Sequence, residues 1–218
     1  ILSLGISHGA LDHIKGKKLL KLLNYKSTLT FYILYVFVAL SVILLWFLFS
    51  KILLLIFLIV ASYHFGKEDS EFINSKSNLE LVYFFKGSLV ITAPLLFHKT
   101  KTLNIFNNLN FDISQSLFIS NEFLYAFIVI SLFANIIISL NKQIDIKSLL
   151  LMDFISILLH NYFLNPILAF TIYFCFLHSI RHSFKLSNEL NKKNFIKGFK
   201  EFLVKAMPLT ILTAILFL

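Results

Sequence analysis

The chain has 218 residues, 58% of them hydrophobic and 14% charged, with a mean hydropathy of +0.82. That composition excludes a water-soluble globule and points to a helical protein that crosses a bilayer several times. The net charge of +9 does not call for nucleic acid, because it is nearly all lysine set in short stretches between apolar runs.

The single Cys175 excludes an internal disulfide and argues against a thiolate metal site. Apolar segments continue to the last residue, and no signal-peptide pattern precedes them. The chain starts at Ile1 without Met and stops inside an apolar run at Leu218, so both ends are expected to be cut.

In chain order, residues 1–9 read as the tail of a first span, followed by a basic loop from Ile14 to Lys26. Phe31 to Phe65 is an apolar run broken only at Ser50-Lys51. At 1.5 Å per residue that run is about 50 Å long, too much for one ~30 Å crossing. It is therefore expected to split into span 2 (28–49) and span 3 (52–66), with a tight turn at Ser50-Lys51. A polar loop, Lys67 to Asn78, precedes span 4 (79–97), and an Asn- and Asp-rich segment precedes span 5 (120–140). The loop Asn141 to Lys147 leads to span 6 (148–163). Asn165-Pro166 opens span 7 (166–183), and the basic stretch Lys185 to Lys200 leads into span 8. The expected architecture is an all-α integral membrane bundle of about seven to eight transmembrane helices, forming one domain over 1–218.

Charge supports this division. Loops after spans 1, 3, 5 and 7 hold fourteen lysines, with Arg181 at their edge, whereas the opposite side holds only Lys51, Lys99 and Lys101. By the positive-inside rule the lysine-rich side is cytoplasmic. One span more or fewer would scramble the asymmetry.

The same division sorts the histidines. His8, His13, His64, His178 and His182 fall at cytoplasmic ends, and His98 and His160 fall at the other face as structural residues. His178 and His182 stand four apart, so one helix face can present both imidazoles to one metal ion. Polar groups in an apolar helix are expensive and usually mark function. Imidazole suits iron, zinc or copper rather than magnesium or calcium. His13 reads as a ligand or a solvated loop residue. Asp12, Asp69 and Asp153 lie at the right depth to accept the second ring N–H of a bound imidazole, as partners behind the metal, or to act as interfacial charges. Arg181 reads as a cation that snorkels or pairs with an acid, and Lys86 as a snorkelling cation, with a Schiff-base lysine as the sharper alternative.

Three blocks carry a family resemblance: His8-Gly9-Ala10-Leu11-Asp12, His64-Phe65-Gly66 with Asp69, and Tyr173-Phe174-Cys175-Phe176 leading into His178-Ser179-Ile180-Arg181-His182. In this order they resemble the Brp/Blh-type β-carotene 15,15′-dioxygenases found beside microbial rhodopsins. The resemblance implies Fe(2+) held by His8, His64, His178 and His182. It implies cleavage of β-carotene by O2 into two retinals, delivered to a microbial rhodopsin from the inner (plasma) membrane, with the metal toward the cytoplasm. Tyr173, Phe174 and Phe176 are the expected substrate-lining residues, and no cofactor beyond the metal is implied.

Other classes fit less well. A di-iron lipid desaturase or hydroxylase needs about eight histidines with an adjacent pair, and none is adjacent here. A zinc protease needs His-Glu-x-x-His. A retinal- or carotenoid-binding protein without catalysis stays open, although a rhodopsin-like Schiff base would need a lysine better placed than Lys205.

Overall fold

The computed structural model describes residues 11–22, 24, 28–70, 79–113, 116–140 and 144–216; the expected tail of span 1 (1–9) lies outside them. The helices are α1 (Asp12–Leu22), α2 (Thr28–Glu68), α3 (Glu80–Phe97), α4 (Lys99–Asn108), α5 (Asn121–Ser139), α6 (Ile144–Phe163) and α7 (Pro166–Ile172). A π-helical segment (Tyr173–His178) then joins α7 to α8 (Ser179–Leu190), and α9 (Phe195–Leu216) follows. No strand occurs among the described residues. Among them, α2, α3, α5 and the run Pro166–Leu190 are long and apolar enough to cross a membrane.

Several expected boundaries move. The basic stretch after residue 13 is helical as far as Leu22, not a loop: Gly16 and Leu20 are buried while Lys17, Lys18 and Lys21 are exposed. Lysine is a good helix former, and an amphipathic pattern outweighs its charge. Ser50 and Lys51 are helical too; the interruption falls at Phe49, whose φ of −140° and ψ of 45° leave the helical region. Without Gly, Pro or Asn there, the chain kinks rather than loops. The Asn-rich segment after His98 contains α4, and α8 runs to Leu190 rather than stopping at residue 183.

The chain divides into two compact units, residues 1–49 with 175–218, and residues 50–174. In the second, α3, α5 and α6 pack against one another around Leu89, Ala93, Leu124 and Ala134, all nearly inaccessible. The second half of α2 approaches α3 at Gly66 and Gly87. A Cβ at Gly66 would overlap the carbonyl oxygen of Tyr83, and one at Gly87 would overlap that of Ser62. Membrane helices use such small residues to bring backbones together. Ser120 caps α5 by accepting from Phe123 N at 3.2 Å.

In the first unit, α8 and α9 pack through Leu186, Phe202 and Ala206, with Leu11 joining the cluster. Asn191 Oδ1 accepts from the amides of Lys193 and Asn194, and Asn194 Oδ1 from that of Lys197, which turns the chain sharply into α9. Only 6% of the most apolar window of α2 is buried. Its Phe37, Leu44, Phe47 and Leu48 are exposed, a surface suited to lipid and not to water.

Asn165 and Pro166 start α7 as anticipated: Asn165 Oδ1 accepts from Leu168 N at 2.9 Å, and Pro166 occupies the first turn. Asn165→Ala is expected to lower stability by about 1 kcal/mol, read as a small drop in melting temperature with faster amide exchange at Leu168. An unchanged exchange rate would show the cap to be dispensable.

Candidate metal centre

His178 closes the π-helical segment and His182 lies one turn into α8. They are 0% and 4% exposed, so the i, i+4 pair faces inward. A π-turn is a local widening that recurs at functional sites, because it re-aims side chains relative to the flanking helix. Ser179, Ser183 and Ser187 run along the same buried side. Ser183 and Ser187 donate to the carbonyls four residues back, at 2.8 and 2.7 Å. The hydroxyls of Ser183 and Ser187 are thus satisfied by their own helix, whereas the buried Ser179 Oγ makes no hydrogen bond.

His178 has contacts of its own, yet its Nε2 is buried without a hydrogen bond. A polar nitrogen enclosed in this way is costly unless something engages it. An imidazole nitrogen so placed suits a metal cation, so the donor chemistry fits the expected iron.

His64 sits near the end of α2, is exposed, and lies with its ring 6.0 Å from that of Phe65. It belongs to the 50–174 unit, whereas His178 and His182 belong to the other. His8 and the His13 side chain lie outside the described residues. Among the described residues, no three histidine, cysteine or acidic side chains group together as a metal-binding cluster.

The acidic candidates differ. Asp12 is half-buried in the first turn of α1, where a carboxylate favours the helix dipole. Asp153 is buried in α6. Asp69 is buried, and its Oδ2 accepts the Tyr173 hydroxyl at 2.6 Å. Tyr173 is only 3% exposed and packs edge-on against Phe65, with 5.5 Å between ring centroids. Phe174 is half-buried and stacks on Phe170 at 5.7 Å, and Phe176 is 51% exposed.

Lys86 does not snorkel. It is 6% exposed, and its Nζ donates to the Asp69 carbonyl at 3.1 Å and to Ser70 Oγ at 2.9 Å. The reason is the Gly66–Gly87 approach, which sets the base of Lys86 against the end of α2 and puts two acceptors within its reach. A lysine beside a glycine, opposite a second glycine in a preceding apolar helix, was the available signal.

Sequence reasoning also missed an apolar groove of about 180 Å³ in the 50–174 unit, walled by Phe84, Phe106, Phe111, Phe123 and Phe127 among others. In a chain with 26 phenylalanines, no spacing singles these out.

His98 joins α3 to α4 and, like His160 near the end of α6, is half-buried. His98→Ala and His160→Ala are expected to leave bound iron within about twofold of wild type when assayed by elemental analysis. A large loss from either would break the assignment of histidines to two membrane faces.

No curated protein and no solved structure matches the chain. Over residues 1–218 the sequence matches the family profile described as β-carotene 15,15′-dioxygenase. The whole chain therefore belongs to the β-carotene 15,15′-dioxygenase family.

Proposed function

We propose that the chain cleaves the central double bond of all-trans-β-carotene with one O2, giving two molecules of all-trans-retinal. The observation that carries this reading is the family match along the entire length. The enclosed His178 Nε2 one turn from His182 supports it. The reaction balances without a reductant: the central C=C and the O–O bond break, and each oxygen atom ends in one aldehyde.

Fe(2+) held by His8, His64, His178 and His182 would supply the O2 chemistry, since neutral imidazoles leave the metal its charge and open positions. The protein's own contribution is position and dryness. His178 and His182 are held inward by the serine-lined face of α8. The surrounding apolar helices exclude water, and the substrate reaches the site from the bilayer. The Phe-walled groove offers a hydrocarbon-compatible surface. Phe174 and Phe176 are proposed to contact the polyene, and Asp12 and Asp153 to orient imidazoles. Tyr173 is proposed to line the same path and Asp69 to orient an imidazole, with their mutual bond fixing both side chains.

Seven to eight spans remain our reading of the lysine pattern; it takes α2 as two crossings about its kink and adds α6 and α9 to the helices that are long and apolar enough by themselves. We place the chain in the inner (plasma) membrane with the metal toward the lysine-rich, cytoplasmic side, and its product would supply a microbial rhodopsin.

Expression in carotene-accumulating bacteria tests the activity. The expected result is loss of colour with retinal recovered by chromatography. Persistent colour and no retinal, with the protein present in the membrane, would point instead to carotenoid binding without catalysis.

A further inference from the structure

A second polar node lies inside the 50–174 unit. The Lys86 ammonium bonds the Asp69 carbonyl and Ser70 Oγ, and Ser70 Oγ in turn donates to Gly66 O at 2.7 Å. The Tyr173 hydroxyl closes the node on the Asp69 carboxylate. Ionisable groups at such depth in an apolar bundle are expensive, and they persist where their partners are well satisfied.

The node borders a void of about 10 Å³ whose walls include Asp69, Lys86, Asn135 and Tyr173. This is about the space one water needs. Asn135 is 4% exposed, and its Nδ2 donates to Ser131 O at 2.9 Å. That bond fixes the amide's orientation, since only the donor end can face a carbonyl. Asn135 Oδ1 is then a buried acceptor with no hydrogen bond. The void is too small for any polyene, and the neighbouring ammonium disfavours a metal cation. A water molecule both fits and can donate to Oδ1.

We propose that Asn135, Lys86, Asp69 and Tyr173 hold one internal water, and that this hydrated node positions Tyr173 at the head of the π-helical segment ending at His178. A π-turn is marginal on its own, so a clamp on its first side chain sets how the following residues are presented. The positioning role rests on the proposed metal centre; the water does not.

Radiolytic hydroxyl labelling of the protein in nanodiscs tests the water. Once corrected for intrinsic reactivity and for their 3% and 6% exposure, Tyr173 and Phe154, which line the void, are expected to label faster than the fully buried Leu124. Asn135→Leu, which fills the void, should abolish the difference. Labelling at the Leu124 level in wild type would show a dry void and overturn the site.

Co(2+) serves as the probe for positioning. Tyr173→Phe and Lys86→Met should each weaken Co(2+) binding by about tenfold or more and alter its visible absorption, while Lys86→Gln, which keeps a donor, should restore both. Wild-type spectra and affinity in Tyr173→Phe and Lys86→Met would overturn the role. Failure of the wild type to bind Co(2+) would remove the metal centre and the positioning role together, leaving the labelling to decide the water.

Discussion

His178→Ala is expected to strip the protein of iron and to stop retinal formation, with His182→Ala behaving alike. Loss of a group that only orients a metal-bound imidazole costs about 10–100-fold, so removing an imidazole that binds the metal should cost at least about 100-fold. Two quantities separate this from simple unfolding. His178 is fully enclosed, so alanine also leaves a cavity, and cavities destabilise by themselves. His178→Gln keeps most of the volume and a polar end, and it should lose iron while melting near wild type. Ser187→Ala lies on the same buried face, but its hydroxyl serves only the Ser183 carbonyl, so it should keep both iron and activity. Full activity in purified His178→Ala would eliminate the pair as the metal site.

The pair at 178 and 182 was legible because a four-residue spacing means one thing on a helix, whatever surrounds it. The widened turn before it was not. Tyr173-Phe174-Cys175-Phe176-Leu177-His178 contains no helix breaker, and an i to i+5 pattern is selected by packing around the chain rather than by residue type. The apolar helices were legible for the reason their surfaces are exposed: hydropathy reports the solvent a segment prefers, and α2 is apolar on every side. The amphipathic α1 was hidden by that same measure, because its lysines lower mean hydropathy without lowering helix propensity.

Lys86 and Asp69 show the other limit. Each was recognisable as an ionisable group in or near an apolar segment, but their relation spans seventeen positions and depends on two glycines that let helices touch. Asp69 read as a partner for a nearby histidine; its Oδ2 also accepts the hydroxyl of Tyr173, 104 residues away. Sequence distance carries no information about such a bond. The backbone approach that creates it is encoded in what Gly66 and Gly87 lack.

Gly87→Ala is therefore expected to destabilise the protein, reversing the usual sign. In an exposed helix interior, alanine is better than glycine by about 1 kcal/mol. Here the added Cβ would overlap the Ser62 carbonyl oxygen and crowd Gly66 N. Both are backbone atoms inside helices, so no rotamer change relieves the contact and the two helices must separate. Overpacking of this kind costs about 1–3 kcal/mol. Separation also draws Lys86, the adjacent residue, away from the Asp69 carbonyl and Ser70 Oγ. Losing each bond in a buried setting adds about 1 kcal/mol or more. The net expectation is a lower melting temperature in detergent, with Gly66→Ala giving a similar loss through Tyr83 O. The double variant should cost less than the sum of the two, because once the helices have parted the second methyl meets no neighbour. A Gly87→Ala protein that melts at or above wild type would mean that these helices do not approach as closely as this crossing requires.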